Sequence, residues 1–265
     1  MMNSIERLQA FKDYMDACDS KAERYGGETQ LIGWGNPLAP ILIVGKEPYG
    51  EVPTEQIETA IQSYINAPIR AGFDNGVLTQ QYLQGYVPIT KTFGLYQRLI
   101  DYVLYDKPIE RTKEQNLPFV TWAFVTDMNN TFSDKSSKAE KKLEFRKNLF
   151  EDSRFLRDFP VVLLACGKDY IDNNGPKWEI NRLFDVTFDM EGEKRTGAHE
   201  EFGKGVAYFT HHSQDGRLVI HTSQITAFGY INNRDEALKA IAKLIREHLI
   251  EQGKFPNFWI QDSFS

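Results

Sequence analysis

The stretch ILIVGKEPYG, residues 41 to 50, decides the fold. Ile41 to Gly45 form a short, continuous, mostly branched apolar run bounded by Pro40 and Gly45. A run without polar alternation predicts a strand buried on both faces, as in a parallel sheet covered by helices. A lysine, a carboxylate, a proline and a tyrosine follow at once, so the strand delivers polar chemistry at its carboxyl end.

Working outward, FVTWAFVTDMNN (119 to 130) and VVLLACG (161 to 167) predict two more buried strands. VAYFTHH (206 to 212) and RLVIHTS (217 to 223) predict a pair joined by the turn SQDG. Between them lie stretches of helical periodicity. Residues 4 to 23 open with Ser4 as N-cap and repeat Ile5, Leu8, Phe11, Met15 and Cys18. Thr54 to Ile65, Thr90 to Val103, Ser133 to Phe159, residues 168 to 184 and Asp235 to Glu251 also read as helices. APIRAGFDNGV (67 to 77) reads as loop and residues 187 to 205 as a polar excursion.

Strands alternating with helices predict a three-layer α/β/α sandwich around a central, mostly parallel sheet. The chain shows no repeat and no linker, so one domain is expected. It comprises an N-terminal helix and loop (1–37), the core (38–250) and an aromatic C-terminal tail (251–265) that packs on the body or contacts a partner.

Composition narrows the class. The 265 residues carry 31 basic and 37 acidic side chains, a net charge of −6, which disfavours a strongly basic nucleic-acid footprint but leaves room for a local one. Two cysteines, Cys18 and Cys166, are too few for a disulfide framework or a four-cysteine metal site. They fit a reducing, cytoplasmic compartment. No apolar run reaches the roughly 20 residues of a membrane span, and the N-terminus lacks the apolar core of an export signal. His211, His212 and His221 have no carboxylate or cysteine at ligand spacing, so no metal is expected. Neither a phosphate-loop nor a dinucleotide glycine motif is present, and no cofactor is expected.

Ligands of parallel α/β sheets sit beyond the carboxyl ends of the strands. There the sequence puts Gly45-Lys46-Glu47-Pro48-Tyr49, then Asp127-Met128-Asn129, then His221-Thr222-Ser223-Gln224-Ile225. Each has a plain reading: Glu47 as a loop residue, Asp127 and Asn129 as turn or cap residues, His221 as a core histidine. Their convergence at three strand ends favours a site.

These motifs resemble the uracil-DNA glycosylase-like superfamily. ILIVGKEPYG is similar to that family's first signature, a strand followed by Gly-Gln-Asp-Pro-Tyr-His. VIHTSQITAFG is similar to the second, a strand followed by His-Pro-Ser-Pro-Leu-Ser. FVTD falls where the family has a strand ending in a pocket asparagine, and VVLLACGKDY resembles the strand, glycine and helix before the histidine motif. The order matches over roughly residues 38 to 250.

The resemblance implies a base-excision hydrolase acting on DNA without metal or cofactor. It implies that Glu47 orients or activates the attacking water and that His221 stabilises the departing base. Gly45, Lys46, Pro48 and Tyr49 would line the base pocket, with Tyr49 crowding the C5 position. Asp127, or Asn129 two residues on, would read the base, and Phe73 would stack on it. Ser223 would contact phosphate with Gln224 beside it, and Ile225 would wedge into the stack.

Departures bear on specificity. Glu47 is a methylene longer than aspartate, Gly50 replaces a histidine, and Thr222 and Gln224 replace both prolines. Asp127 in place of asparagine loses its N–H donors. The basic run around Lys138, Lys141, Lys142 and Arg146 reads either as a phosphate-holding helix near the pocket or as a solvated face. Two functions stay open on these residues: a divergent glycosylase, or a module of the same fold that binds nucleic acid, nucleotide or protein without cleaving.

Overall fold

The computed structural model describes residues 1–46, 48, 52–74, 91–111, 118–130, 143–171, 179–199, 202, 207–226 and 234–255. The chain is a mixed α/β protein. Its eight-stranded sheet runs β1-β3-β2-β4-β8-β7-β5, with β6 paired to β7. The strands are β1 Trp34–Gly35, β2 Ile41–Gly45, β3 Ala123–Asp127, β4 Val161–Leu164, β5 Thr187–Phe188, β6 Ala198–His199, β7 Tyr208–His212 and β8 Leu218–Thr222.

The four central strands β3, β2, β4 and β8 are parallel, and β1, β5, β6 and β7 pair antiparallel at the two flanks. Every residue of β2, β3, β4 and β8 is buried, which explains the continuous apolar runs with which these strands begin. At one edge, β1 lies so close to β3 that a Cβ at Gly33 or Gly35 would meet the Val125 or Ala123 carbonyl at 2.3 Å. Both glycines also have positive φ, so only glycine fits there.

The helices are α1 Ser4–Asp19, α2 Ile57–Ala60, α3 Ala67–Asp74, α4 Lys91–Tyr105, α5 Phe119–Trp122, α6 Leu143–Asp152, α7 Glu179–Phe184 and α8 Arg234–Glu251. On one face of the sheet, Phe11 of α1 packs on Phe124 of β3 with centroids 5.6 Å apart, and α6 sends Arg146 to Thr126. On the other, α4 packs against α8, and Tyr96 of α4 reaches the ends of β2 and β3.

Several boundaries differ from expectation for local reasons. Asn3, not Ser4, caps α1: its side chain accepts from the Ile5 and Glu6 amides while Glu6 accepts from the Asn3 amide, a reciprocal capping box. The helix ends at Asp19 rather than residue 23. The stretch 67–74, expected as loop, is helical, reached from α2 through a π-helical segment Ile61–Asn66. The apolar run from 119 starts as the short helix α5 and becomes strand only at Ala123. Among the described residues of 133–159 the helix covers Leu143–Asp152 and stops there, and of 168–184 only Glu179–Phe184 is α-helical. The polar excursion contributes β5 and β6. At the C-terminus, Phe255 is buried under Arg246, whose guanidinium lies 5.1 Å from its ring, and the rest of the tail is outside the described residues.

Candidate functional site at the carboxyl edge

In chain order the four parallel strands are β2, β3, β4, β8, and in space they run β3, β2, β4, β8. The chain leaves β2 toward one side for β3 and then crosses back to β4 on the other. That reversal falls between β2 and β4, the place beyond the carboxyl ends at which open α/β sheets bind ligands. Gly45 and Lys46 stand on one side of it, Cys166 and Gly167 on the other.

The loop after β3 is tied to the loop after β2. Met128 donates its amide to the Gly45 carbonyl (2.9 Å) and Asn129 to the Lys46 carbonyl (2.7 Å), extending the parallel pairing past the strand ends. Gly45 and Asp127 are direct partners in that pairing. A Cβ at residue 45 would stand 2.2 Å from Asp127 Oδ1 and 3.2 Å from Tyr96 Oη. The missing side chain is thus the notch in which the carboxylate sits, beside a phenol. Burial, then the negative charge of Asp127, pushes the Tyr96 phenol well above its ordinary pKa, so it stays protonated.

Lys46 reaches from the end of β2 toward the segment after β4, with its ammonium 5.4 Å from the Tyr170 ring. Gly167 has a φ of +75°, and a Cβ there would come within 3.9 Å of both Lys46 Cε and Ser223 Cα. The β4 turn thereby draws the loops after β2 and β8 together. Cys166 is buried and its thiol is pushed up to about 12, chiefly by burial, so it is no nucleophile at neutral pH.

His221 ends up less open than its assigned role requires. It is 1% exposed, and among the described residues neither ring nitrogen has a hydrogen-bond partner. Burial lowers its pKa to about 4, against a smaller opposing effect of the Gly167 backbone, so the ring is neutral at pH 7. Register adds a second constraint. Val44 pairs with both Thr126 and Leu164, and Leu164 pairs with His221. His221 therefore shares a face with Thr126, while Asp127, one residue on, faces α4. The two share an edge, lie three strands apart on it, and leave the sheet on opposite faces.

Other expected site residues fall out as follows. Pro48 and Asn129 are buried, and Lys46, Ser223 and Gln224 are partly exposed at the edge. Ile225 is 2% exposed and part of the core, because the loop after β8 turns back onto the body, so it presents no wedge. Phe73 is on α3 with its ring edge-on to Phe11 of α1 at 5.6 Å, an inter-helix packing contact. Glu47, Tyr49, Lys138 and Lys142 lie outside the described residues.

Arg146 corrects the surface reading of the basic run, since it is wholly buried. Its Nε donates to the Asp127 carbonyl (3.0 Å), and Nη2 donates to Thr126 Oγ1 (2.6 Å) and Tyr14 Oη (3.3 Å). The guanidinium thus pins the end of β3 from the face opposite the Asp127 side chain. Asn130 is a residue to which the sequence reading gave no role. Its amide accepts from the Leu31 amide and donates to the Thr29 carbonyl, both at 2.8 Å, clamping the segment before β1. The polar run at the end of β3 is therefore divided between Thr126 and Asn130, which tie the scaffold, and Asp127, which packs against Gly45 and Tyr96.

The described cavity, about 360 Å³, lies at the opposite, amino-terminal pole of the sheet. Met1, Met2, Arg7, Leu38, Trp122, Asp158 and Lys254 are among its lining residues. No group of three His, Cys, Asp or Glu side chains in metal-holding geometry occurs among the described residues, and no described helix is long and apolar enough to cross a membrane.

The class defined by the fold is an α/β protein with a mostly parallel sheet whose carboxyl edge carries Lys46, Asp127, His221 and Ser223. No family model matches the chain, and no curated protein matches it.

Proposed function

We propose that the carboxyl edge of β3, β2, β4 and β8 takes a nucleobase turned out of DNA, and that this chain is a divergent DNA glycosylase-like protein hydrolysing the N-glycosidic bond of uracil or another modified base. One observation carries the reading: the turns at Gly45–Lys46, Asp127–Asn129 and His221–Ser223 all leave the same edge of four adjacent parallel strands, around a reversal of winding. N-glycosidic cleavage develops positive charge on the sugar and negative charge on the base. A carboxylate at Glu47 answers the first and a neutral imidazole N–H at His221 the second. Lys46 and Ser223 at the rim suit a phosphate. Extruding the base costs a few kcal/mol, which favours damaged or single-stranded substrates.

The burial of His221 favours a second reading, a protein of the same architecture that binds a base or nucleotide without cleaving it. Incubation with single- and double-stranded oligonucleotides carrying uracil, hypoxanthine, xanthine or oxidised bases separates the two. Abasic sites that disappear with Glu47→Ala support hydrolysis. Saturable binding without product, weakened by Lys46→Ala, supports the binder. Absence of both removes the nucleobase reading.

A further inference from the structure

The nucleobase reading makes no use of the cavity of about 360 Å³ at the amino-terminal pole of the sheet. Small-molecule pockets start at roughly 300 Å³, are mostly apolar and carry a few fixed polar groups. Here Met2, Leu38 and Trp122 supply apolar lining, and Arg7, Asp158 and Lys254 supply the charges. We infer that this cavity binds a small organic monoanion, a carboxylate on one flat apolar ring, with Arg7 and Lys254 taking the carboxylate.

Arg7 is the anchor. It belongs to α1, is 8% exposed, and holds its guanidinium 4.1 Å from the Phe159 ring centroid. Among the described residues only Nη2 finds an acceptor, the Ala39 carbonyl at 2.8 Å. Nη1 lies 3.8 Å from Asp158 Oδ2, an ion pair too long for a hydrogen bond. Nε has no partner and is sealed under neighbouring atoms, which leaves Nη1 as the nitrogen a ligand meets.

Asp158 does not complete the pairing. Its Oδ1 accepts from the Met2 amide at 2.7 Å, its Oδ2 accepts no hydrogen bond, and Arg217 draws on the same carboxylate. Burial lowers the Arg7 pKa to about 10, with Asp158 opposing, so the guanidinium stays charged at neutral pH. Two cations against one carboxylate leave this wall one positive charge, which a monoanion neutralises. A dianion such as phosphate would set excess negative charge beside Asp158. Trp122 is half-buried and gives the cavity an aromatic wall, while the unbranched Met2 adapts to the shape of a ring.

Phenylacetate and phenylacetamide share a ring and differ in charge, so their binding to the full-length chain, measured by calorimetry beside inorganic phosphate, tests the inference. Phenylacetate is expected to bind at least about tenfold more tightly than either of the others, the worth of one charge-assisted hydrogen bond. Arg7→Met is expected to abolish that binding. Lys254→Glu, at an exposed position, covers the case in which Arg7→Met does not fold, and should weaken binding about threefold or more. Lys46→Ala, at the other pole, should leave it unchanged. Equal binding of phenylacetate and phenylacetamide, tighter binding of phosphate, or no saturable binding at millimolar concentration overturns the inference. Undiminished binding by folded Lys254→Glu overturns it too, as does loss in Lys46→Ala, which would move the anion to the carboxyl edge.

Discussion

Gly45 and Asp127 are partners across β2 and β3, and the aspartate's Oδ1 stands 2.2 Å from where a Cβ on residue 45 would be. The first polar turn of the chain and the carboxylate of the second are thus one steric unit. Gly45→Ala must displace the Asp127 side chain, with the Tyr96 hydroxyl close behind it. A cost of about 1–3 kcal/mol is expected, the range for overpacking a filled interior. Asp127→Ala in the same chain should return most of that loss. Urea unfolding of both single variants and the double variant gives the coupling energy, and additive effects would show that the two residues do not compete for space.

Arg146 supports the same carboxylate from the opposite face. Replacing it by methionine keeps the bulk over Phe150 but leaves the Asp127 carbonyl, the Thr126 hydroxyl and the Tyr14 hydroxyl without their shared donor. The Tyr14 hydroxyl keeps its bond to the Ile32 carbonyl (2.8 Å), whereas a buried acceptor that loses its donor costs about 1–3 kcal/mol. Arg146→Met should therefore lose several kcal/mol, and Arg146→Lys, which cannot span three acceptors, should lose nearly as much. If either variant unfolds at the wild-type urea midpoint, the guanidinium is not holding β3.

How much of this was legible in the sequence depended on whether the deciding partners were local. β2 and β8 were readable because continuous apolar runs ending in glycine or polar residues have few other uses in a parallel sheet. The start of β3 was not, since Phe119 to Val125 is apolar but for Thr121 and periodicity does not separate a helical turn from a strand. β5 and β6 are two residues each, below any periodic signal. Arg146 looked like surface because its acceptors come from residue 14 and from the end of β3, far away in the chain. The edge shared by Asp127 and His221 followed from the alternation of strands and helices, but their opposite faces did not. Inter-strand register sets the face, and one residue of slip inverts it.

The N-terminal cap gives a local test of that lesson. Asn3 and Ser4 are adjacent and both of capping type, yet the bonds to the Ile5 and Glu6 amides come from Asn3. Asn3→Ala should cost about 1 kcal/mol and Ser4→Ala much less. Equal losses in thermal or urea unfolding would mean that the capping box is not formed in solution.

Burial of histidines makes the fold sensitive to mild acid. His221 is lowered to about 4 and His211 to about 3, both mainly by burial, and His248 is lowered for the same reason. The unfolded chain binds these protons near pH 6.5 and the folded chain does not. Stability from these groups is thus complete above pH 6.5 and falls as pH drops toward the folded values. His212 acts in the opposite sense, because its hydrogen bond to Asp189 raises its pKa. Its contribution is present below the unfolded pKa and fades as pH rises through the folded one. The three lowered groups outnumber it, so net loss on acidification is expected, about 2 kcal/mol at pH 5 from His221 alone. Urea unfolding at pH 7.5 and pH 5 measures the difference, and His221→Asn should shrink it by about that amount. If the variant's pH dependence matches the wild type, His221 takes up its proton in the folded protein without penalty. The imidazole would then be open to solvent rather than sealed beneath the β4 turn, which would also remove the observation favouring a binder over a hydrolase.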